Sequence, residues 1–150
     1  MIKYISRSIV FQEIPDEITL ALEITNCPHN CPNCHSPELR KNIGTILVKE
    51  ELDLLIKSNP YISCVCFMGG DNNHKEIVEW TKYIHKNYNL KVAMYSGDDN
   101  IDLNLFYNLD YYKIGSYKEE LGPLNKKTTN QRLYMIINKQ PEDITYRFWK

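Results

Sequence analysis

Apolar residues recur at every second position near the start of the chain and at helical spacing further along it. The alternation from Ile18 to Ile24 predicts a strand, and apolar residues three or four positions apart predict amphipathic helices. The predicted strands cover residues 18–26, 61–68, 90–95, 111–117 and 132–138, with an edge strand at 143–150. The predicted helices cover residues 48–58, 74–87 and 101–108.

Strands that alternate with helices indicate a mainly parallel sheet with crossover helices. A closed eight-stranded α/β barrel needs about 250 residues, whereas this chain has 150. We therefore predict an α/β fold in a single domain, residues 1–150, built as a partial, open parallel α/β barrel. Functional sites in such sheets lie beyond the carboxyl ends of the strands.

Three cysteines follow the first predicted strand with the spacing C-x3-C-x2-C, namely Cys27, Cys31 and Cys34. A four-iron cluster held only by protein takes four cysteines, and no nearby cysteine completes this set. The loop therefore predicts a cluster with one iron open to another ligand. The alternatives are three unligated thiols or a structural zinc site, for which His29 or His35 would be the fourth ligand.

Two other cysteines, Cys64 and Cys66, lie two positions apart on a predicted strand. They therefore face the same side of the sheet, and packing in the core is the role that their residue type favours.

Glycine-containing turns follow the next two predicted strands, Gly69-Gly70-Asp71 in one case and Ser96-Gly97 in the other. Glycine lets a ligand approach the backbone closely because it has no Cβ, although an ordinary turn uses glycine as well. Asp71 could cap the helix that follows. Both turns are predicted to meet the cysteine loop at one edge of the sheet.

Composition adds limits on location and partners. The chain is 43% hydrophobic and 25% charged, with a net charge of −1. This balance gives no bulk attraction to nucleic acid or membranes. The five cysteines, three of them crowded together, argue against a secreted disulfide framework. We expect a cytoplasmic protein with no nucleic-acid or membrane partner.

The cysteine loop resembles the cluster motif of the radical S-adenosylmethionine (SAM) superfamily, in which His35 occupies the position of an aromatic-type residue. Met68-Gly69-Gly70-Asp71 looks like the superfamily's Gly-Gly-Glu motif, with aspartate in place of glutamate. More narrowly, three segments are similar to the activating proteins of anaerobic (class III) ribonucleoside-triphosphate reductases: Cys34-His35-Ser36-Pro37, Tyr95-Ser96-Gly97 and Thr129-Asn130-Gln131-Arg132.

The resemblance implies a radical SAM barrel and a 4Fe-4S cluster on Cys27, Cys31 and Cys34, with no catalytic residue beyond cluster and cofactor. It implies that S-adenosyl-L-methionine binds at His35, Gly69, Gly70, Asp71, Ser96 and Gly97. The implied activity is reductive SAM cleavage that generates a glycyl radical on the large catalytic subunit of the anaerobic reductase. The electron would come from a flavodoxin-like or other low-potential donor.

Two alternatives stay open at this point. One is an activase of another glycyl-radical enzyme, of the pyruvate formate-lyase type. The other is a non-enzymatic zinc or iron-sulfur binding module.

Lys113 lies on a strand that could face the site, but a solvated lysine is the favoured interpretation. Residues 130–132 have no physical role that the sequence explains.

Overall fold

Four parallel strands form the centre of the sheet in the computed structural model, which describes residues 1–34 and 36–149. Within these residues the elements are β1 Lys3–Val10, β2 Thr19–Ile24, β3 Thr45–Ile46, α1 Lys49–Lys57, β4 Cys64–Met68, α2 His74–Asn87, β5 Lys91–Tyr95, α3 Leu103–Phe106, β6 Tyr111–Ile114, β7 Arg132–Ile137 and β8 Gln140–Asp143. Short 3₁₀ turns occur at Pro37–Arg40 and Thr145–Phe148.

The sheet has eight strands in the order β3-β1-β2-β4-β5-β6-β7-β8. The central strands β2, β4, β5 and β6 run parallel to one another. On one side β1 pairs antiparallel with both β2 and β3. On the other side β7 pairs antiparallel with β6 and β8. The result is a mixed sheet with β3 and β8 at its edges.

The predicted partial parallel α/β barrel is therefore wrong. The described residues form a mixed sheet of eight strands that does not close, with three α-helices rather than a helix for each strand. The error arises because hydrophobic alternation identifies a strand but does not tell its direction. Crossover helices connect only the central strands, so parallel pairing is confined to these four.

The two faces of the sheet pack against different partners. Val65 and Phe67 of β4 belong to the main core, in which apolar residues of α1, α2 and α3 pack. Cys64 and Cys66 point to the opposite face, as the two-residue period of a strand requires. There they pack in a smaller core with Ile14, Ala93, Tyr111, Leu133 and Ile144. The helices thus cover one face, and loop and tail segments cover the other.

The predicted helices and central strands are present, and α2 has the predicted bounds. The predicted edge strand at 143–150 is wrong, because the strand is β8 and a 3₁₀ turn follows it. Strands β1 and β3 were not predicted. The register of β1 shifts between Tyr4 and Ser6, which interrupts the alternation, and β3 has only two residues. Among the described helices, none has the length and apolar character needed to cross a membrane.

Candidate metal and cofactor site

The cysteine loop leaves the carboxyl end of β2 and folds back against the sheet. Its backbone is fixed by hydrogen bonds from Asn26 N to Lys41 O (3.0 Å) and from Cys27 N to Leu39 O (2.8 Å). The Arg40 guanidinium donates to Cys31 O at 2.9 Å. Prolines in the loop remove backbone donors and disfavour regular helix. The loop is therefore an irregular but hydrogen-bonded segment.

Cys27, Cys31 and Cys34 are half-buried free thiols that line one cavity of about 410 Å³. This volume lies within the usual range of roughly 300–1,000 Å³ for small-molecule sites. The remaining walls come from the ends of the parallel strands and from the loop before β7. They include Ile24, Leu39, Arg40, Met68, Gly69, Asp71, Tyr95, Ser96, Gly97, Lys113, Gly115, Tyr117, Pro123, Leu124 and Gln131. The cysteine loop and the strand ends thus enclose a common space.

The structure brings most of the predicted site residues together at this cavity. Gly69, Asp71, Ser96 and Gly97 line it along with the three cysteines. Gly70 is not among the lining residues. His35, the remaining predicted SAM neighbour, lies outside the described residues.

The glycines after β4 are required by the protein backbone itself. Gly69 and Gly70 have φ values of +115° and +110°, a region that favours glycine. A Cβ on Gly69 would lie 2.9 Å from Ile24 O, and one on Gly70 would lie 2.9 Å from Ile77 Cδ1 of α2. For these two glycines, the atoms that a side chain would meet belong to the protein rather than to the cavity.

Asp71 is the most connected polar residue at the strand ends. Its side chain is only 3% exposed, and it accepts hydrogen bonds from Ser96 Oγ at 2.6 Å and Gly97 N at 2.8 Å. Burial raises its pKa, but hydrogen bonds from Ser96, His74, Gly97 and His29 outweigh burial and hold the pKa below its usual value. The N-cap of α2 is Asn73 rather than Asp71. Asp71 therefore joins the ends of β4 and β5 instead of capping the helix.

Sequence reasoning missed a group of imidazoles and carboxylates beside Asp71, which we call the His–Asp group: His29, Asp71, His74, Asp98 and Asp102. His29 Nε2 lies 2.7 Å from Asp71 Oδ2, and His74 Nε2 lies 2.9 Å from Asp71 Oδ1. Burial lowers the pKa of His74, but Asp71 and Asp102 raise it above its ordinary value. His74 and Asp98 also follow parallel strands, whose carboxyl ends meet at one edge of the sheet. Their positions in the sequence could therefore have predicted that they lie close together.

Lys113 was predicted to be solvated, and this prediction is wrong. The residue is 7% exposed and lines the cavity. Its ammonium donates to Ser96 O at 3.1 Å and to Gly115 O at 2.9 Å. Burial lowers the pKa of Lys113 to about 8. The lysine thus places a positive charge at the cavity without a carboxylate salt-bridge partner among the described residues.

Cys64 and Cys66 are buried, as predicted for core residues. Burial raises the pKa of both thiols well above the usual range. A raised pKa suppresses the thiolate form that metals require. These two cysteines therefore contribute packing rather than ligands.

The cysteine loop fits a multinuclear cluster better than a single zinc ion. Zinc–sulfur bonds are about 2.3 Å long, so the sulfurs around one zinc lie roughly 4 Å apart. Among the described residues, the three thiols do not form a set with all sulfurs within 4.8 Å of one another. An iron-sulfur cluster instead takes each thiolate on a different iron, which needs wider spacing.

Comparison with protein families matches residues 18–137, which is 120 of the 150 residues, to the 4Fe-4S single cluster domain. The chain belongs to this family, and a 4Fe-4S binding domain is thereby indicated. The matched region contains the cysteine loop and every described strand end at the cavity. Comparison with curated proteins and with solved structures gave no match.

Proposed function

On the premise of this family membership, we propose that the chain is a radical SAM enzyme that activates the anaerobic ribonucleoside-triphosphate reductase. The observation that carries the proposal is the shared cavity. Three cysteines of one loop line it together with the carboxyl ends of β4, β5 and β6. A metal cluster and an organic ligand therefore have adjoining places in one space.

The number of available thiols supports a cluster with an open iron. Cys27, Cys31 and Cys34 are the cysteines at the cavity, while Cys64 and Cys66 are committed to the core. Three thiolates leave one iron of a four-iron cluster without a protein ligand. The amino and carboxylate groups of SAM are chemically suited to that position.

The cavity also supplies groups for the rest of the ligand. The ammonium of Lys113 can attract the methionyl carboxylate, since a buried charge is weakly screened. Ser96 and Gly97 present backbone at the end of β5, and Asp71 fixes their positions by its two hydrogen bonds. We assign Asp71 this positioning role beside its predicted contact with SAM.

The cluster and the protein side chains have different roles in the proposed reaction. Cys27, Cys31 and Cys34 would hold the cluster, which when bound would supply the electron for reductive cleavage of SAM. Lys113 and the strand ends orient the ligand. Apolar side chains wall the cavity and limit water near a radical formed there. They are Ile24, Leu39, Met68, Tyr95, Pro123 and Leu124.

The proposed hydrogen donor is a glycine Cα of the reductase's large catalytic subunit. The described sheet is open, so its strands wall the cavity on one side only. A protein substrate could complete the enclosure that the chain lacks. We further propose a flavodoxin-like or other low-potential protein as the electron donor and the cytoplasm as the location.

Anaerobic reconstitution with iron and sulfide tests the enzymatic proposal. The reconstituted chain should bind about four irons and, with dithionite and SAM, release methionine and 5′-deoxyadenosine, measured by chromatography. Cys27→Ala, Cys31→Ala and Cys34→Ala should each abolish cleavage. Cys66→Ala is the matched control and should retain it, with a stability loss of the order of 1 kcal/mol.

The outcomes separate the candidate functions. A cluster that forms without any SAM cleavage would leave an iron-sulfur binding module or electron carrier. A colourless protein that binds zinc through the same cysteines would contradict the cluster itself. If Cys66 proves necessary for cluster assembly, the three-ligand assignment is wrong.

A further inference from the structure

A second cavity, of about 480 Å³, lies next to the cysteine loop. His29, His74, Asp98 and Asp102 line it, and Asp71 lies behind them with its side chain 97% buried from solvent. His29 and Gly97 border both cavities. Asp71 also lines the cysteine cavity, so the His–Asp group lies between the two cavities and reaches solvent through the second one.

Three ligand atoms converge in this group from three separate segments. His29 comes from the cysteine loop, Asp71 from the end of β4 and Asp98 from the end of β5. One ligand atom from each residue lies within 4.8 Å of the other two. His29 Nε2 is 2.7 Å from Asp71 Oδ2 and 3.2 Å from Asp98 Oδ1. A tetrahedral ion with bonds of about 2.0–2.2 Å sets its ligands roughly 3.3 Å apart. The separation of His29 and Asp98 matches this spacing, and an ion would replace the direct hydrogen bond between His29 and Asp71 by moving these two atoms apart.

We propose that His29, Asp71 and Asp98 bind a divalent transition-metal cation of the zinc class, with water completing its coordination. One imidazole and two carboxylates are a nitrogen and oxygen set that such cations accept. The site is distinct from the three cysteines, because it uses no sulfur and opens to the second cavity. Its existence does not depend on the proposed radical chemistry.

His74 and Asp102 supply the outer shell that metal sites characteristically have. His74 Nδ1 lies 2.9 Å from Asp102 Oδ2, and His74 Nε2 lies 2.9 Å from Asp71 Oδ1. His74 Nε2 also lies 3.3 Å from Asp98 Oδ2. One outer imidazole thus contacts both ligating carboxylates through Asp71 Oδ1 and Asp98 Oδ2. The ion would bind Asp98 Oδ1 and the remaining lone pair of Asp71 Oδ2, which also accepts from Gly97 N at 2.8 Å.

The charges of the group also favour a cation. The group contains three carboxylates and two imidazoles, so acidic side chains outnumber the side chains that could neutralise them. Asp71 is neutralised in part by hydrogen bonds from Ser96 and Gly97. The carboxylate of Asp98 lies 3.2 Å from His29 Nε2 and 3.3 Å from His74 Nε2. A divalent ion would balance this charge.

An ion at this position would fasten the cysteine loop to the sheet. His29 lies between Cys27 and Cys31, while Asp71 and Asp98 lie at the ends of β4 and β5. Binding would stabilise the folded chain in proportion to the ion's affinity and concentration. The site therefore offers a structural link between the loop and the strand ends.

Zinc binding to the reconstituted, cluster-loaded chain tests the proposal. Equilibrium dialysis against Zn²⁺, followed by metal analysis, should give one zinc per chain in addition to the cluster iron. X-ray absorption at the zinc edge should report nitrogen and oxygen neighbours with no sulfur. Zinc should also raise the midpoint of thermal unfolding.

Two variants and a control locate the site. Asp98→Asn removes a ligand charge, and His74→Gln removes the outer donor, so each should weaken zinc binding about 10–100-fold. Asp110→Asn is the matched control, because its carboxylate lies 2.8 Å from His85 Nε2 and accepts from Val92 N, outside the His–Asp group. It should bind zinc like the parent chain. The thermal midpoint of each variant without zinc checks that it is folded.

The contrary results are equally definite. Absence of stoichiometric zinc, sulfur in its coordination shell, or unchanged affinity in folded Asp98→Asn and His74→Gln would overturn the proposal. Iron content and 5′-deoxyadenosine release are measured in the same samples. Failure of the radical SAM function would therefore be seen separately from failure of the zinc site.

Discussion

A buried ammonium group lines the cysteine cavity together with the carboxylate of Asp71 and the guanidinium of Arg40. Lys113 reaches the cavity from β6, and two backbone carbonyls, Ser96 O and Gly115 O, accept its hydrogen bonds. Burial disfavours the charged form and lowers the pKa of Lys113 to about 8. Burying such a charge lowers the stability of the chain, and binding of an anionic ligand would compensate for that loss. Substitution of Lys113 is therefore the most direct way to distinguish a SAM site from a purely structural cavity.

We predict that Lys113→Met weakens SAM binding about tenfold or more while leaving the iron content unchanged, because it removes a charge-assisted contact. In the parent chain, SAM affinity should begin to fall above a pH of about 8, since the ammonium loses its proton there. The variant should lack this part of the pH dependence. Calorimetric titration between pH 7 and 9.5 measures both, and equal affinities for variant and parent would contradict the assignment.

The pH dependence of the stability of the ligand-free chain is a second, independent test of the lowered pKa of Lys113. The pKa of Lys113 is lower in the folded chain than in the unfolded one, so between the two values the unfolded chain binds more protons. Its contribution to the free energy of unfolding therefore rises as the pH increases through about 8. Urea unfolding of parent and Lys113→Met under reducing conditions should show the parent gaining relative to the variant over this interval.

At the scale of elements, the turn after β4 sets the position of both the cavity and α2. Gly69 and Gly70 both have positive φ, and each faces a different neighbour. The neighbour of Gly70 is the Ile77 side chain, while that of Gly69 is the Ile24 backbone. A side chain at either position conflicts with the backbone conformation, but only the conflict with Ile77 can be relieved by a substitution.

We predict that Gly70→Ala lowers the free energy of unfolding by about 1–3 kcal/mol, from strain and from contact with Ile77. Ile77→Val, which removes Cδ1, should cost about 0.5–1.5 kcal/mol alone. The double variant should lose less than the sum of the two, because removing Cδ1 relieves the nearer of the two Ile77 contacts, at 2.9 Å, and leaves Cγ1 at 3.0 Å. Gly69→Ala is the control and should combine additively with Ile77→Val in urea unfolding. Additivity at both positions would show that packing against Ile77 is not what requires glycine.

The sequence predicts those elements whose pattern is regular over several turns. Helix α2 carries Ile77, Trp80 and Ile84 on one buried face, and its predicted bounds agree with the structure. Strand β1 escapes prediction because its register shift breaks the alternation. The tail, residues 143–150, is predicted as an edge strand, although Thr145–Phe148 forms a 3₁₀ turn.

The sequence predicts the site only to the extent that it predicts where the parallel strands end. The cysteines and the two glycine turns could be assigned to one edge of the sheet from their positions after strands. The orientation of Lys113 could not, because all four residues of β6 are buried and no polar alternation marks its faces. The His–Asp group depends on three segments meeting, which requires the parallel order of β4 and β5.

For the whole molecule, the decisive property is that the sheet is open. Four parallel strands supply one wall of the cavity, and antiparallel strands rather than further crossover units flank them. A radical formed there needs additional shielding from water and from stray hydrogen donors. This requirement favours a macromolecular substrate over a small one.

We predict that the reconstituted chain with dithionite and SAM alone releases 5′-deoxyadenosine slowly, and that adding the large subunit of an anaerobic ribonucleotide reductase accelerates release. The mixture should develop a protein radical whose electron paramagnetic resonance is a doublet from one α-hydrogen. Deuterium on the target glycine should appear in 5′-deoxyadenosine, because the radical abstracts that atom. If a glycyl-radical enzyme of the pyruvate formate-lyase type is activated instead, the partner is wrong but the reaction stands. Deuterium transfer from a small molecule without any partner protein would contradict the activase proposal, since the open cavity would then enclose its own substrate.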